Sequence, residues 1–315
     1  MTGLDPVEAR ARRAVAASLD DLEPGARLTV GLSGGADSLA LTVAAAFVSR
    51  AAGHRLEAVV VDHGLQPGSA EVARRAAEQA EACGVPAEVV RVDVGADGGP
   101  EGAARTARLA ALTSRGPDAV LLGHTLDDQA ETVLLGLGRG SGPRSIAGMS
   151  VRSGAFRRPF LALTRAETEH LCELHGLSWW SDPHNADARF RRSRLRTEAL
   201  PLLEDILGGG VAAALARTAD LVRTDTDLLD TLAAEAHTVE VAELAVLHPA
   251  LRSRVLRRAA LEAGAAADEL AAHHIDELAR LVVDYRGQQR IELPGRVAAR
   301  RADGRIEFFT TPGPG

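Results

Sequence analysis

Residues 27–38 read Arg-Leu-Thr-Val-Gly-Leu-Ser-Gly-Gly-Ala-Asp-Ser. An apolar run of strand length stops at Ser33, two glycines follow, and a helical pattern opens at Asp37-Ser38. Gly34 and Gly35 let backbone N–H groups approach an anion with no Cβ in the way. The helix start adds its positive dipole end, and the hydroxyls of Ser33 and Ser38 can donate as well. A carboxylate at Asp37 repels phosphate unless a cation lies between them, so its natural role is to hold Mg²⁺ against a pyrophosphate group. A plain glycine-rich turn with a Ser/Asp helix cap explains two glycines equally well. The complete string after a buried strand is much more specific.

Outward from this stretch, strand and helix patterns alternate. Runs 56–61, 87–92 and 119–123 read as strands, and 38–52, 69–83, 101–114 and 127–137 as helices. Such alternation predicts an α/β fold, a doubly wound, Rossmann-like parallel sheet covered on both faces. Ligands of such sheets sit beyond the carboxyl ends of the strands, here at Ser33–Ser38, Asp62–Gly64 and Gly123–Asp128. Residues 138–153 are glycine-rich and basic and read as an exposed loop. After Thr164 the pattern is helical, broken by a loop at 179–185. A triple glycine, Gly208–Gly210, marks a domain boundary, giving 1–208 and a smaller, mostly helical α+β domain at 209–315. The latter opens on a long linker helix and continues from Val239 as two helices, then strands near 289–293, 296–300 and 305–309.

Composition removes several function classes. All 36 basic residues are arginine, so no mechanism that needs an internal lysine is available. The two cysteines, Cys83 and Cys172, offer neither a disulfide framework nor a zinc quartet, which suits a reduced cytoplasmic setting. No run reaches the roughly 18 uncharged apolar residues of a membrane span, and the charged N-terminus is no signal peptide. The net charge of −7 argues against general coating of nucleic acid. Yet 132–166 and 189–196 contain no acid, against eleven arginines, which points to one polyanion-binding face. Gly136, Gly138, Gly140 and Gly142 mimic a dinucleotide fingerprint but follow a helix, so that match fails.

The Ser33–Ser38 string resembles the PP-loop ATP pyrophosphatases, which activate a carbonyl by adenylation. Further stretches are similar to one of their families, the tRNA(Ile)-lysidine synthetases. They are Val61-Asp62-His63-Gly64-Leu65, the basic helix from Gly102 through Arg105 to Arg108, and Gly123-His124-Thr125-Leu126-Asp127-Asp128-Gln129-Ala130-Glu131-Thr132 running on to Arg139. Ile146–Met149, Arg158-Pro159, Asp182-Pro183 with Asn185, and Arg194-Leu195-Arg196 follow in the family's order. His184 and Ser193 depart from the family pattern, where serine and asparagine are usual.

The resemblance implies ATP-dependent ligation of free L-lysine to carbon 2 of the wobble cytidine of a CAU-anticodon tRNA(Ile), through an adenylated base, with Mg²⁺ and in the cytoplasm. It implies an ATP site at Ser33, Gly34, Gly35, Ala36, Asp37, Ser38, Asp62, His63, Gly123 and His124, and RNA contacts at Arg105, Arg108, Arg139, Arg191, Arg192 and Arg194. The C-terminal domain would orient the tRNA, and a homodimer is open. Asp127, Asp128 and Glu131, at helical spacings of three and four, read either as helix-start charge or as the groups that receive lysine's ammonium. That ammonium, with pKa near about 10.4, needs a carboxylate to position it and accept its proton. Trp179 and Trp180 could stack a base, but read better as packing residues. Two rivals remain: a PP-loop tRNA thiolase, which usually needs paired cysteines, and a non-catalytic tRNA-binding protein on a nucleotide fold.

Overall fold

The computed structural model describes residues 3–64, 68–92, 99–140, 142–182, 189–267 and 269–311. Leu65, Pro183, His184 and Asn185 from the motifs above lie outside them. Along the chain run α1 (Pro6–Ser18), β1 (Arg27–Leu32), α2 (Ala36–Ala52), β2 (Arg55–Asp62), α3 (Ser69–Ala82), β3 (Ala87–Arg91), α4 (Gly99–Thr113), β4 (Ala119–Leu122) and α5 (Leu126–Arg139). After them come α6 (Pro143–Ile146), β5 (Arg152–Ser153), β6 (Phe156–Arg157), α7 (Arg165–Leu174), α8 (Arg191–Arg194), α9 (Leu200–Leu207), α10 (Val211–Ala236), α11 (Val241–Val246), α12 (Pro249–Glu262), α13 (Ala272–Val283), β7 (Ile291–Leu293), β8 (Val297–Ala302) and β9 (Arg305–Thr310).

The first sheet has the order β3-β2-β1-β4-β6-β5, parallel except for β5. β1 is central and apolar because both its faces are covered: Leu28, Val30 and Leu32 are buried on one, while on the other Thr29 is buried and Gly31 lies against Leu112. One face packs on α1, α2 and α7 through Ala11, Val15, Leu39, Ala45, Leu171 and Cys172, and the other on Leu112 of α4. α2 is buried around most of its circumference, so it is the central helix of its layer. The order reverses between β1 and β4, since β1 to β3 proceed one way and β4 lies on the other side. The crevice at such a switch point is where the loops after β1 and β4 meet.

The chain divides into two compact units, 1–132 with 149–216, and 133–148 with 217–315. The division thus falls inside α10 rather than at the triple glycine, which serves as helix punctuation: Gly208 is the left-handed cap that ends α9. It also returns 133–148 to the later unit, which a single cut along the chain cannot express. The segment expected as a loop at 138–153 contains α6 and the start of the β5–β6 hairpin. The later unit holds three helices after Val239, not two, on the antiparallel sheet β7-β8-β9. Leu244, Leu256, Leu278, Leu281, Val297 and Ile306 form its core. No single described helix is long and apolar enough to cross a membrane.

Candidate active site

The turn after β1 is built around glycine. Gly34 has φ +82°, in the left-handed region, and its carbonyl accepts a 2.9 Å hydrogen bond from the Trp180 N–H. Ser38 Oγ donates to the Gly35 carbonyl at 3.0 Å and accepts from the Ser33 N–H at 3.1 Å, closing the loop over the start of α2. Ala36 is the buried first residue of that helix. Gly123, just after β4, lies so close that a Cβ there would stand 2.9 Å from the Asp37 carbonyl oxygen and 3.0 Å from the Ser38 nitrogen. Two strand ends therefore meet with no room for a side chain.

A cavity of about 270 Å³ opens beyond β1 and β2, lined among others by Ser33, Asp62, His63, Gly64, Arg108, Trp180 and Asp182. A smaller one beside it is lined by Ser33, Gly35, Asp37, Ser38, Arg108, Gly123 and His124. The ATP-site residues expected from sequence thus gather at one sheet edge. The Asp62 carboxylate is used within its own loop, accepting from the Gly64 N–H at 2.9 Å, and that bond with one from Ser69 holds its pKa below the usual range. Burial pushes His124 down to about 4, with Asp128 opposing and Arg108, Arg158 and Arg105 assisting. It is a neutral imidazole at pH 7, and its Nδ1 is buried without a partner. His63 Nδ1 is likewise unfilled, and its pKa is lowered by burial and by Arg108.

Arg108, expected on the RNA side, instead lines both cavities. Burial, with Arg105 adding to it, lowers its pKa, and its Nε has no hydrogen-bond partner. Charge this costly to bury calls for an anion. Trp180, expected as packing, also lines the larger cavity, while Trp179 does pack against the core.

The acidic residues converge on two arginines: Arg165, which lies outside the quoted motifs, and Arg196, which closes the Arg194-Leu195-Arg196 stretch but was given no role. Arg165 Nη2 lies 3.3 Å from Asp37 Oδ2 and 3.4 Å from Asp128 Oδ1, and its backbone N–H donates to Asp127 Oδ2 at 2.8 Å. Thr168 Oγ1, one turn on, donates to Asp37 Oδ1 at 2.5 Å. Arg196 Nε donates to Glu131 Oε1 at 2.7 Å, and its Nη2 lies 3.4 Å from Asp128 Oδ1. Asp128 also accepts from the Thr125 N–H at 2.9 Å, capping α5. Burial raises the pKa of Asp37 against Arg165, and that of Glu131 against Arg196. Glu131 is fully buried, and its Oε2 has no hydrogen bond, Arg192 Nη1 standing 3.9 Å away. One clue was present in the sequence: Thr164-Arg-Ala-Glu167 is a capping box, so Arg165 is the first residue of a helix.

The remaining arginines separate. Arg192 turns to Thr132 and Glu131, and Arg194 pairs with Glu198 at 2.8 Å. Arg139 and Arg191 are exposed at helix ends and make no ion pair among the described residues. Ser193, the departure from the family pattern, is buried.

Comparison with known proteins identifies the family. The PP-loop domain model matches residues 7–203, and the TilS substrate binding domain model residues 240–307. A tRNA(Ile)-lysidine synthase of Thermobifida fusca is 50% identical over 97% of this chain and 98% of its own length. That of Streptomyces coelicolor is 53% identical over 88% and 83%. Among solved structures, the U34-tRNA thiolase NcsA of Methanococcus maripaludis, with its [4Fe-4S] cluster, superposes with a TM-score of 0.58 at 21% identity. It covers 69% of this chain and 79% of its own, a likeness of fold alone. With relatives this similar along nearly its whole length, the chain belongs to the tRNA(Ile)-lysidine synthase family.

Proposed function

We propose that this chain is an ATP-dependent ligase joining free L-lysine to carbon 2 of the wobble cytidine of CAU-anticodon tRNA(Ile). The observation that carries this reading is the meeting of the Ser33–Ser38 turn with three carboxylates, Asp127, Asp128 and Glu131, at one switch point of the sheet. A pyrophosphate-binding turn alone says only that ATP is split between its α- and β-phosphates. A carboxylate group beside it supplies what an aliphatic ammonium needs.

ATP fits with its phosphates on the N–H groups of Gly34 and Gly35 and the start of α2, and its nucleoside in the cavity beside Trp180. Arg108 and the neutral His124 line the phosphate side, where Arg108 offsets negative charge as the α-phosphate is attacked by the cytidine O2. Pyrophosphate leaves, and the base is held as its adenylate. Lysine's ε-amine, oriented by Asp127 and Glu131, gives up a proton to a carboxylate, attacks carbon 2, and AMP departs. Among the described residues no group of three or more His, Cys, Asp or Glu is placed to cage a metal. Mg²⁺ is commonly held by one or two carboxylates together with substrate phosphates, and Asp37, which lines the smaller cavity beside Ser33 and Gly35, is the residue to hold it. Bound there, it would neutralise charge on the leaving pyrophosphate.

The thiolase alternative finds little support in the cysteines. Cys172 is fully buried with its thiol pushed up to about 12 by burial, and Cys83 is half-buried. Exposed Arg139 and Arg191, with Arg105, suit the RNA backbone, and a role for the C-terminal unit in orienting tRNA, a homodimer and a cytoplasmic setting belong to the same reading. The test is nucleoside analysis of tRNA(Ile) after incubation with ATP, Mg²⁺ and lysine. Lysidine at the wobble position supports the proposal; unmodified cytidine in correctly folded tRNA overturns it.

A further inference from the structure

Arg165 touches Asp37, Asp127 and Asp128, the first on the pyrophosphate side and the other two on the amine side. Its two side-chain contacts, 3.3 and 3.4 Å, come from a single nitrogen and are long for a charge-assisted pair. Neither is a bidentate fork. Its Nε is buried and has no hydrogen-bond partner among the described residues. The guanidinium is therefore held between the carboxylates by charge and one long hydrogen bond to Asp128 at 3.4 Å, not by a fitted two-bond fork. Its backbone, by contrast, is firmly placed: the N–H caps onto Asp127, and the capping box of Thr164 and Glu167 anchors the helix start.

We propose that Arg165 is a resident counter-ion. Its guanidinium takes the place between Asp37 and Asp128 that the reaction's own cations use, and yields Asp37 when a divalent cation arrives. The anchored backbone keeps Asp127 in position during that exchange, while the side chain turns its unfilled Nε to an acceptor on the incoming nucleotide. Arg165 is a positioning residue in this scheme, since it acts through the carboxylates. The inference rests on the nucleotide reading above, with Asp37 as the cation-binding group.

The test measures Mn²⁺ alone, by titration of the whole chain without ATP or RNA, so it reads Arg165 whether or not the chain makes lysidine. Taking one positive charge from within a few ångströms of the metal's carboxylate should tighten Mn²⁺ binding in Arg165→Met by about tenfold. Arg165→Lys, which keeps the charge, should bind as wild type does. Arg165→Gln should follow Met and serves if the Met variant does not fold. Adding Asp37→Asn to Arg165→Met should abolish the gain. In turnover, Arg165→Met should need less Mg²⁺ for half-maximal rate while its kcat falls, a split that loss of packing does not produce. Equal or weaker Mn²⁺ binding by the Met and Gln variants would overturn the proposal, as would a gain that survives Asp37→Asn.

Discussion

Gly123→Ala isolates the contact on which the site's geometry depends. The new methyl would stand 2.9 Å from the Asp37 carbonyl oxygen and 3.0 Å from the Asp37 carbonyl carbon and the Ser38 nitrogen, all backbone atoms, where ordinary contact begins near 3.4 Å. The loop after β4 and the start of α2 must part by about half an ångström. α2 cannot yield freely, because Leu39, Ala40, Leu41 and Ala44 are buried. Overpacking of this kind costs about 1–3 kcal/mol. In a unit of roughly 200 residues that lowers Tm by about 2–4 °C per kcal/mol. The displaced atoms carry Asp37 and the anion-binding N–H groups, so the rate effect should exceed the stability effect: about tenfold to a hundredfold in kcat for misplacement of this order. Pyrophosphate release and thermal melting read the two effects separately. Gly138→Ala is the control, an exposed helical glycine with nothing within 4 Å of its Cβ; it should leave the rate unchanged and gain about 1 kcal/mol of helix stability. A Gly123→Ala protein with wild-type rate and Tm would mean that the close approach of the β4 loop to α2 does not position Asp37.

Three further outcomes follow from the charges. Arg196→Met strips the fully buried Glu131 of its close cation and should cost about 3–5 kcal/mol in denaturant unfolding, most of it recovered by adding Glu131→Leu. Of the arginines at 191, 192 and 194, Arg191 has no acidic partner among the described residues, so Arg191→Ala alone should flatten the salt dependence of tRNA binding nearly as much as the triple change; an unchanged slope would place it off the RNA face. Asp37 and Glu131 both have pKa values raised by burial and must be ionised to act, so the acid limb of the pH–rate profile should fall above the ordinary carboxylate value of about 4. In stability the sign is opposite to that of a salt-bridged acid. The buried charge of Asp37 costs stability near neutral pH, relieved as pH drops through its raised folded value, so Asp37→Asn should melt no lower than wild type at pH 7.

The sheet and its anion-binding turn were legible because β1, β2 and β4 are short apolar runs with glycine at their carboxyl ends, and strand alternation alone places those ends together. α1 was not read as a helix, although Ala11, Val15 and Ser18 make a buried stripe at helical spacing and Asp5-Pro6 is a sound helix start. Its many arginines masked that stripe. The β5–β6 hairpin has two residues per strand, too few for any periodicity. Arg165 was visible only as a member of an acid-free stretch, and Arg196 as the end of the Arg194-Leu195-Arg196 stretch with no role of its own. Their importance comes from partners 37 and 68 residues away at Asp128, a pairing that sequence spacing does not encode. For the same reason Arg108 read as an RNA contact: helical spacing puts it beside Arg105, but only the packing of α4 on the sheet turns it into the cavity.

The central claim is that the base, and not lysine's carboxylate, attacks ATP. Pyrophosphate release from ATP, measured with tRNA(Ile) but no lysine and then with lysine but no RNA, tests it most directly. Release of up to about one equivalent per active site is expected in the first mixture, since the adenylate stays bound, and essentially none in the second. Rapid release with lysine alone, the behaviour of an enzyme that activates an amino acid, would contradict it.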